Sequence, residues 1–386
     1  MAQTKKQILF DLLRSAIRGT EVAGAEWSAL SEEERASVLS LAKRHDVVHL
    51  LVFALKQNGL LAEGDLKTEA RLLNAVYRYE RLNYEYLQVC EALEAAEVSY
   101  MPLKGSILRG YYPEEWMRTS CDVDILVHKE DLERAIAYLV QNLGYSEKEH
   151  GTHDVSLFAP SGIHIELHFD LVEEGRAQNA IHILSSVWEN AILCEASKYR
   201  YEMTDAFFYF YHIAHMAKHF ETGGCGIRPF IDLFILDRME NADRGGRDKL
   251  LERGGLLPFA NVSRDLSEVW FDGKKPDALL LQTQNFILHG GVYGSSDNRV
   301  ALWQKKRGGK VGYLISRLFI PLAKLKRYYP ILEKHPWLMP VMQIRRWFML
   351  LRPDVAKMAR SELKVNQRID DAKAAEMDVF LDNIGL

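Results

Sequence analysis

The chain has 386 residues, 48% apolar and 26% charged, which is ordinary for a globular protein and long enough for two or three domains with a sizeable core. Its net charge of −4 leaves no global field drawing it to nucleic acid or to an anionic membrane. Cys90, Cys121, Cys194 and Cys225 form no Cys-x-x-Cys pair, and the sequence shows neither a signal-peptide apolar segment nor a run of membrane-spanning length; free thiols and a cytoplasmic location are expected, with no membrane span.

Residues 1–97 read as a helical region. Ile8, Leu9, Leu12, Leu13 and Ile17 recur at helical spacing, and Ser31-Glu32-Glu33-Glu34 opens a helix with a capping residue and an acidic first turn. Val47 to Leu55 is apolar and reads as buried, and a long amphipathic pattern runs from Leu66 to Ala96. These helices read as support for a sheet formed by the next stretch of chain; binding a partner is the other use for them.

Residues 98–175 change to a β and α pattern. Met101-Pro102-Leu103-Lys104-Gly105-Ser106 is a short apolar run ending in a Gly-Ser turn, with a helix-like Ile107 to Tyr112 after it. Strand, turn and helix start together make a place for phosphate, because Gly lets the backbone approach an anion and the helix start points N–H groups at it. Lys104, beside the turn, can hold phosphate or simply be solvated. Arg118 can neutralise a phosphate oxygen; a surface arginine on a loop is the other reading.

Cys121-Asp122-Val123-Asp124-Ile125-Leu126-Val127 reads as a buried strand, and alternation puts Asp122 and Asp124 on one face. Two adjacent carboxylates repel, and a divalent cation with a taste for hard oxygen ligands, Mg²⁺, is the usual remedy; taken alone, the spacing also suits a solvated strand end. Lys129 to Leu143 reads as a helix ended by Gly144, and Val155 to Phe158 as a strand that turns through Pro160-Ser161-Gly162. In Ile163 to Asp170 the apolar residues alternate strictly with His164, Glu166, His168 and Asp170, so this strand can lie beside the Asp122 strand and supply a third carboxylate, Glu166.

Residues 176–386 return to helix. His212, His215 and His219 share one face of a helix from Asp205 to Phe220, where they can pack on the sheet-forming region or bind zinc; in a third reading His215 and Lys218 reach a nucleotide. Gly223-Gly224-Cys225-Gly226 is either a phosphate-binding turn or a tight inter-helix turn, and Arg228 and Asp232 are spaced to pair on a helix. Asn285 to Ser296 reads as an exposed loop. From Trp303 to Arg352 basic and aromatic residues interleave, a pattern that suits nucleic acid or a membrane surface, or a helical cover whose basic side chains face water.

Leu103-Lys104-Gly105-Ser106, Arg118 to Val127 and Ile165-Glu166-Leu167-His168-Phe169 resemble the nucleotidyltransferase superfamily related to DNA polymerase β, and more narrowly its bacterial family of uncharacterised nucleotidyltransferases. The resemblance implies an α+β fold, a small mixed-sheet core flanked by N-terminal and C-terminal helical regions. It implies that Asp122, Asp124 and Glu166 are catalytic residues holding Mg²⁺ or Mn²⁺, and that Gly105 and Ser106 hold the triphosphate; the reading of the residues themselves adds Lys104, Arg118, His215 and Lys218 as further nucleotide contacts. Two features depart from the family pattern: Tyr111-Tyr112-Pro113 stops the helix early, and Glu stands at 166 where Asp is common. The implied reaction takes an NTP, ATP by expectation, and transfers its nucleoside monophosphate to an acceptor hydroxyl on a small molecule, protein or RNA, with release of pyrophosphate. The alternatives are a nucleotide-binding regulatory or toxin–antitoxin-type partner without turnover, and a nucleic-acid binder acting through the basic tail. Oligomeric state has no signature in the sequence.

Overall fold

A computed structural model describes residues 3–22, 24–171, 178–349 and 352–386. The fold is mixed α+β, mostly helical, with one five-stranded sheet and helices before and after it. Its strands are β1 (Tyr100–Pro102), β2 (Asp122–Val127), β3 (Ser146–His150), β4 (Asp154–Phe158) and β5 (His164–His168), in the order β1-β2-β5-β4-β3. The β2–β5 pair is parallel and the other pairs are antiparallel.

Period-two alternation decides what each sheet face does. Val123, Ile125 and Val127 of β2, with Ile165 and Leu167 of β5, are fully buried against Leu82, Tyr86, Val89 and Leu93 of the Leu66–Ala95 helix and Ile136 and Leu139 of the Leu132–Leu143 helix. The latter helix ends at Gly144, whose φ of 68° is the left-handed cap that a glycine adopts without strain. On the opposite face Leu126 joins a larger core shared by the N-terminal helices and those from Asp205 to Phe271. Phe10 stacks on Trp270 of the Leu257–Phe271 helix with ring centroids 4.5 Å apart, so helices from before and after the sheet pack on each other.

Three expectations are corrected here. The stretch after the sheet is not helical throughout, because β6 (Ala191–Leu193) and β7 (Tyr201–Met203) form a two-stranded hairpin, and Tyr100 of β1 bridges to Arg200 beside it. Asn285 to Ser296 is not an exposed loop: Asn285 to His289 completes a helix, Gly290 is buried, and Gly294 lies so close to Gly223 that a Cβ there would sit 2.2 Å from the Gly223 carbonyl oxygen. Arg228 and Asp232 do not pair with each other; each reaches a partner far away in sequence. The boundary expected at 175–176 lies outside the described residues. Among the described residues no helix is long and apolar enough to cross a membrane, and all four cysteines are free thiols.

Candidate active site

The polar face of β2 and β5 opens into a cleft. The parallel register sets Asp122 opposite His164 and Asp124 opposite Glu166, so three carboxylates and two imidazoles project from one patch of two neighbouring strands. Ligand atoms of Asp122, His164 and Glu166 lie within 4.8 Å of one another, as do those of Asp124, Glu166 and His168. Glu166 belongs to both groups. Asp170 lies beyond the end of β5 and belongs to neither.

Asp124 is buried and receives two donors on the same oxygen: Lys104 Nζ and His168 Nε2 are each 2.9 Å from Oδ1. Burial opposes its ionisation, but the Lys104 ammonium and the His168 hydrogen bond outweigh that and hold the carboxyl far below the usual range. Asp122 has no such support. Burial and the neighbouring Asp124 and Glu166 carboxylates raise it to about 6, with Lys104 only partly offsetting them. A patch that pushes one of its own carboxylates toward neutrality is short of positive charge. Oxygen donors at this spacing fit a hard divalent cation.

Lys104 reaches Asp124 from a strained turn. Its φ of 44° is one of three positive values at non-glycine residues among the described residues, a conformation that costs on the order of 1–3 kcal/mol. Gly105 follows, buried, where an added Cβ would come within 3.1 Å of Ser120 Oγ, so a side chain there would have to push the Ser120 hydroxyl aside. The helix after it covers only Gly105–Leu108 before a 3-10 turn at Arg109–Tyr111, as Tyr111-Tyr112-Pro113 predicts. One turn of helix carries little dipole, and the Ser106 amide is engaged by the Leu103 carbonyl at 3.1 Å. An anion at this turn would therefore depend on Lys104 and close backbone approach rather than on a helix dipole.

Arg118 is not a surface arginine. It is buried, and its guanidinium grips Asp232 in a two-pronged ion pair at 2.6 and 2.8 Å, with Tyr112 Oη donating to the same carboxylate at 2.7 Å. Burial works against the Asp232 charge, but Arg118 holds its carboxyl below the usual range. Arg228 pairs instead with Asp46 at 3.0 Å and donates to the Thr119 carbonyl at 2.8 Å. The two arginines thus tie the 118–120 segment, which leads into β2, to the Arg228–Leu236 helix and to the N-terminal region.

One cavity of about 280 Å³ gathers Lys104, Gly105, Arg118, Asp122, Asp124, Glu166 and His215; Ser106 and Lys218 do not line it. Lys218 is one turn further along the Asp205–Glu221 helix, where burial and the nearby Lys104 charge lower its ammonium to about 8. His212, His215 and His219 all line the cavity. Burial holds all three rings neutral: His219 falls to about 4, His215 well below its usual value, and His212 is lowered too, with its Nε2 3.0 Å from the Pro229 carbonyl. They form a neutral imidazole wall, and among the described residues no cluster with metal-ligand spacing includes them. The glycine turn at 223–226 is a packing turn: the Gly223, Gly224 and Gly226 amides bond to the carbonyls of Phe220, His219 and Val292. The cavity also has walls that sequence reasoning missed, namely His45, Tyr211, Val292 and Tyr293. No local pattern marks them, because they arrive from three separate stretches of chain.

The arrangement is that of an acidic, cation-seeking cleft on a mixed sheet, with one lysine poised beside it. A family model of uncharacterised nucleotidyltransferases matches residues 31–272, which takes in the sheet and every wall of the cleft except Val292 and Tyr293, and the chain belongs to that family. Searches of the curated proteins and of the solved structures return no match.

Proposed function

We propose that the protein is a metal-dependent nucleotidyltransferase of the DNA polymerase β-like superfamily, taking the nucleoside monophosphate of an NTP, ATP by preference, to an acceptor hydroxyl and releasing pyrophosphate. The observation that carries the reading is the in-register Asp124–Glu166 pair, with Asp122 beside it, facing the Lys104–Gly105 turn across one cleft. Asp122, Asp124 and Glu166 would hold the cation, Mg²⁺ or Mn²⁺. When bound, it would neutralise charge on the attacking and leaving oxygens.

The chain's own groups supply the rest. Lys104 now serves Asp124; in the working complex we assign its ammonium to the triphosphate, with Gly105 admitting the phosphates close to the backbone and Ser106 behind the turn. His168 keeps Asp124 ionised and oriented through the 2.9 Å bond to Oδ1. Glu166 takes the proton of the acceptor hydroxyl. We assign Arg118 to shaping the cleft by its hold on Asp232, and His215 to the nucleotide side of the cavity, with Lys218 adding positive potential from behind. The three-part division at 1–97, 98–175 and 176–386 remains our working description of the chain, and cytoplasmic location and bacterial origin remain our expectations.

The reading is tested by incubating the protein, Mg²⁺ and cell extract with ATP labelled on the α-phosphate or on the γ-phosphate. Transfer of α-label to an acceptor, with γ-label leaving as pyrophosphate, supports it. Transfer of γ-label would make the protein a kinase. Nucleotide binding with no transfer from any triphosphate would favour the regulatory alternative.

A further inference from the structure

The whole-chain charge conceals a strong local imbalance. Between Trp303 and Arg352 there are twelve Lys or Arg residues and one acid, Glu333, a net of +11 within a chain that totals −4. This segment lies beyond the family match, which ends at residue 272.

A helical cover would turn its apolar side inward and its charges outward. Here, among the described residues, the short helices from Leu322 to Met349 bury Leu325, Tyr329 and Leu332 as a small apolar core of their own. Trp337, Val341, Ile344 and Phe348, spaced four, three and four apart at helical intervals, are 73%, 55%, 49% and 69% exposed. The Gly309–Leu318 helix repeats the pattern with Val311, Ile315 and Leu318, again exposed. The two stripes are joined: Trp347 Nε1 donates to the Leu318 carbonyl at 2.9 Å, and the Phe319 and Trp347 rings meet edge-on at 5.3 Å. Lys324, Lys334 and Arg345 are exposed in the same segment, as is Arg317, which pairs with Glu362.

We propose that this segment is a membrane-docking surface whose partner is an anionic phospholipid bilayer. The Trp337–Phe348 stripe and the Val311–Leu318 stripe would enter the boundary between headgroups and acyl chains, while the lysines and arginines reach lipid phosphates from its rim. Charge and chemistry select this occupant. Single-stranded nucleic acid answers cationic grooves with successive aromatic platforms; here Trp337 and Phe348 stand at the two ends of their stripe with the aliphatic Val341 and Ile344 between them, and the second stripe, Val311, Ile315 and Leu318, is aliphatic throughout. A second copy of the chain would bring an equally cationic segment against this one, with repulsion across the seam. Insertion of a surface helix needs no spanning segment, in keeping with helices too short to cross.

The test uses the full chain and vesicles of phosphatidylcholine, with or without about one-third phosphatidylglycerol. Partition should be about tenfold or more stronger onto the anionic vesicles, should fall steeply with added salt, and should shift tryptophan emission to the blue. Phe348→Asp and Ile344→Asp alter exposed positions, so thermal melting should stay unchanged while partition drops about tenfold. Equal partition onto neutral and anionic vesicles, or partition unaffected by both substitutions, overturns the proposal. So does binding to a single-stranded RNA oligonucleotide without binding to vesicles, or a dimer in sedimentation that Phe348→Asp dissociates.

Discussion

Asp124 and Glu166 are register partners on parallel strands, and the pairing brings residues 42 positions apart to one cation-sized patch. Glu166 thereby reaches both Asp122 and Asp124, and the longer glutamate side chain spans the pair from a single position. As the proposed proton acceptor, it gives a separation of binding from chemistry. Glu166→Gln should leave ATP affinity within a few-fold of the native value and lower transfer by about 10²-fold or more. Full activity in that variant would move the base to another residue.

Asp122 is a carboxylate held in an unfavourable place. Its folded pKa, about 6, lies above the ordinary 3.8, so the folded chain binds the proton more tightly than the unfolded chain does. Stability therefore falls as pH rises between those values, and above about 6 the full penalty is present. Asp122→Asn removes it. At pH 7 the variant without added metal should be more stable by on the order of 1–3 kcal/mol, and it should lose the stabilisation that Mg²⁺ or Mn²⁺ gives the native chain in the presence of ATP. Melting each protein with and without the cation reads both effects; an apo variant less stable than the native chain would contradict the electrostatic assignment.

Arg118 and Asp232 make the opposite kind of pair, buried and satisfied from both sides. Asp232→Ala would leave a guanidinium buried without its counter-charge and the Tyr112 hydroxyl without its acceptor. The expected loss is about 3–5 kcal/mol in urea unfolding. A loss under about 1 kcal/mol would show that the guanidinium finds water or another acceptor.

The strand carrying Asp122 and Asp124, the strand carrying Glu166 and the face they share were legible because alternation is local and has a period of two. The Leu66–Ala95 helix and the Gly144 cap were legible for the same reason, at helical spacing. What joins distant stretches was not. Arg118 and Asp232 are 114 residues apart, and nothing in the four-residue spacing of Arg228 and Asp232 reveals that both prefer partners elsewhere. β3, Ser-Glu-Lys-Glu-His, is exposed along its whole length and carries no apolar alternation to find. The β6–β7 hairpin has three residues per strand, too few to show a period. Tyr293 at the cleft was hidden because a glycine contact between 223 and 294 holds its loop there, and glycine contacts leave no hydrophobic signature; His45 was hidden because it arrives from the end of a helix far away in sequence.

Buried neutral histidines set the response to acid. Burial lowers His45, His49 and His219 to about 4 from the usual 6.5. Between those values the unfolded chain binds protons that the folded chain refuses, so stability is present above about 6.5 and is lost as pH falls toward 4. The slope should be about 1.4 kcal/mol per pH unit for each histidine within the window. His49→Gln retains a side-chain donor for the Met117 carbonyl, 2.9 Å from Nε2, and should flatten the slope by about one proton. Urea midpoints measured across that range check it; an unchanged slope would mean that His49 already titrates with water access.

The central claim is that the carboxylate patch on β2 and β5 holds the cation through which a triphosphate binds, and calorimetric titration with ATP measures it most directly. The native chain should bind ATP in Mg²⁺ or Mn²⁺ and lose about tenfold or more of its affinity in chelator, and Asp124→Asn should bind weakly in both. Equal ATP affinity with and without the cation, or equal affinity in the native chain and Asp124→Asn, would contradict it.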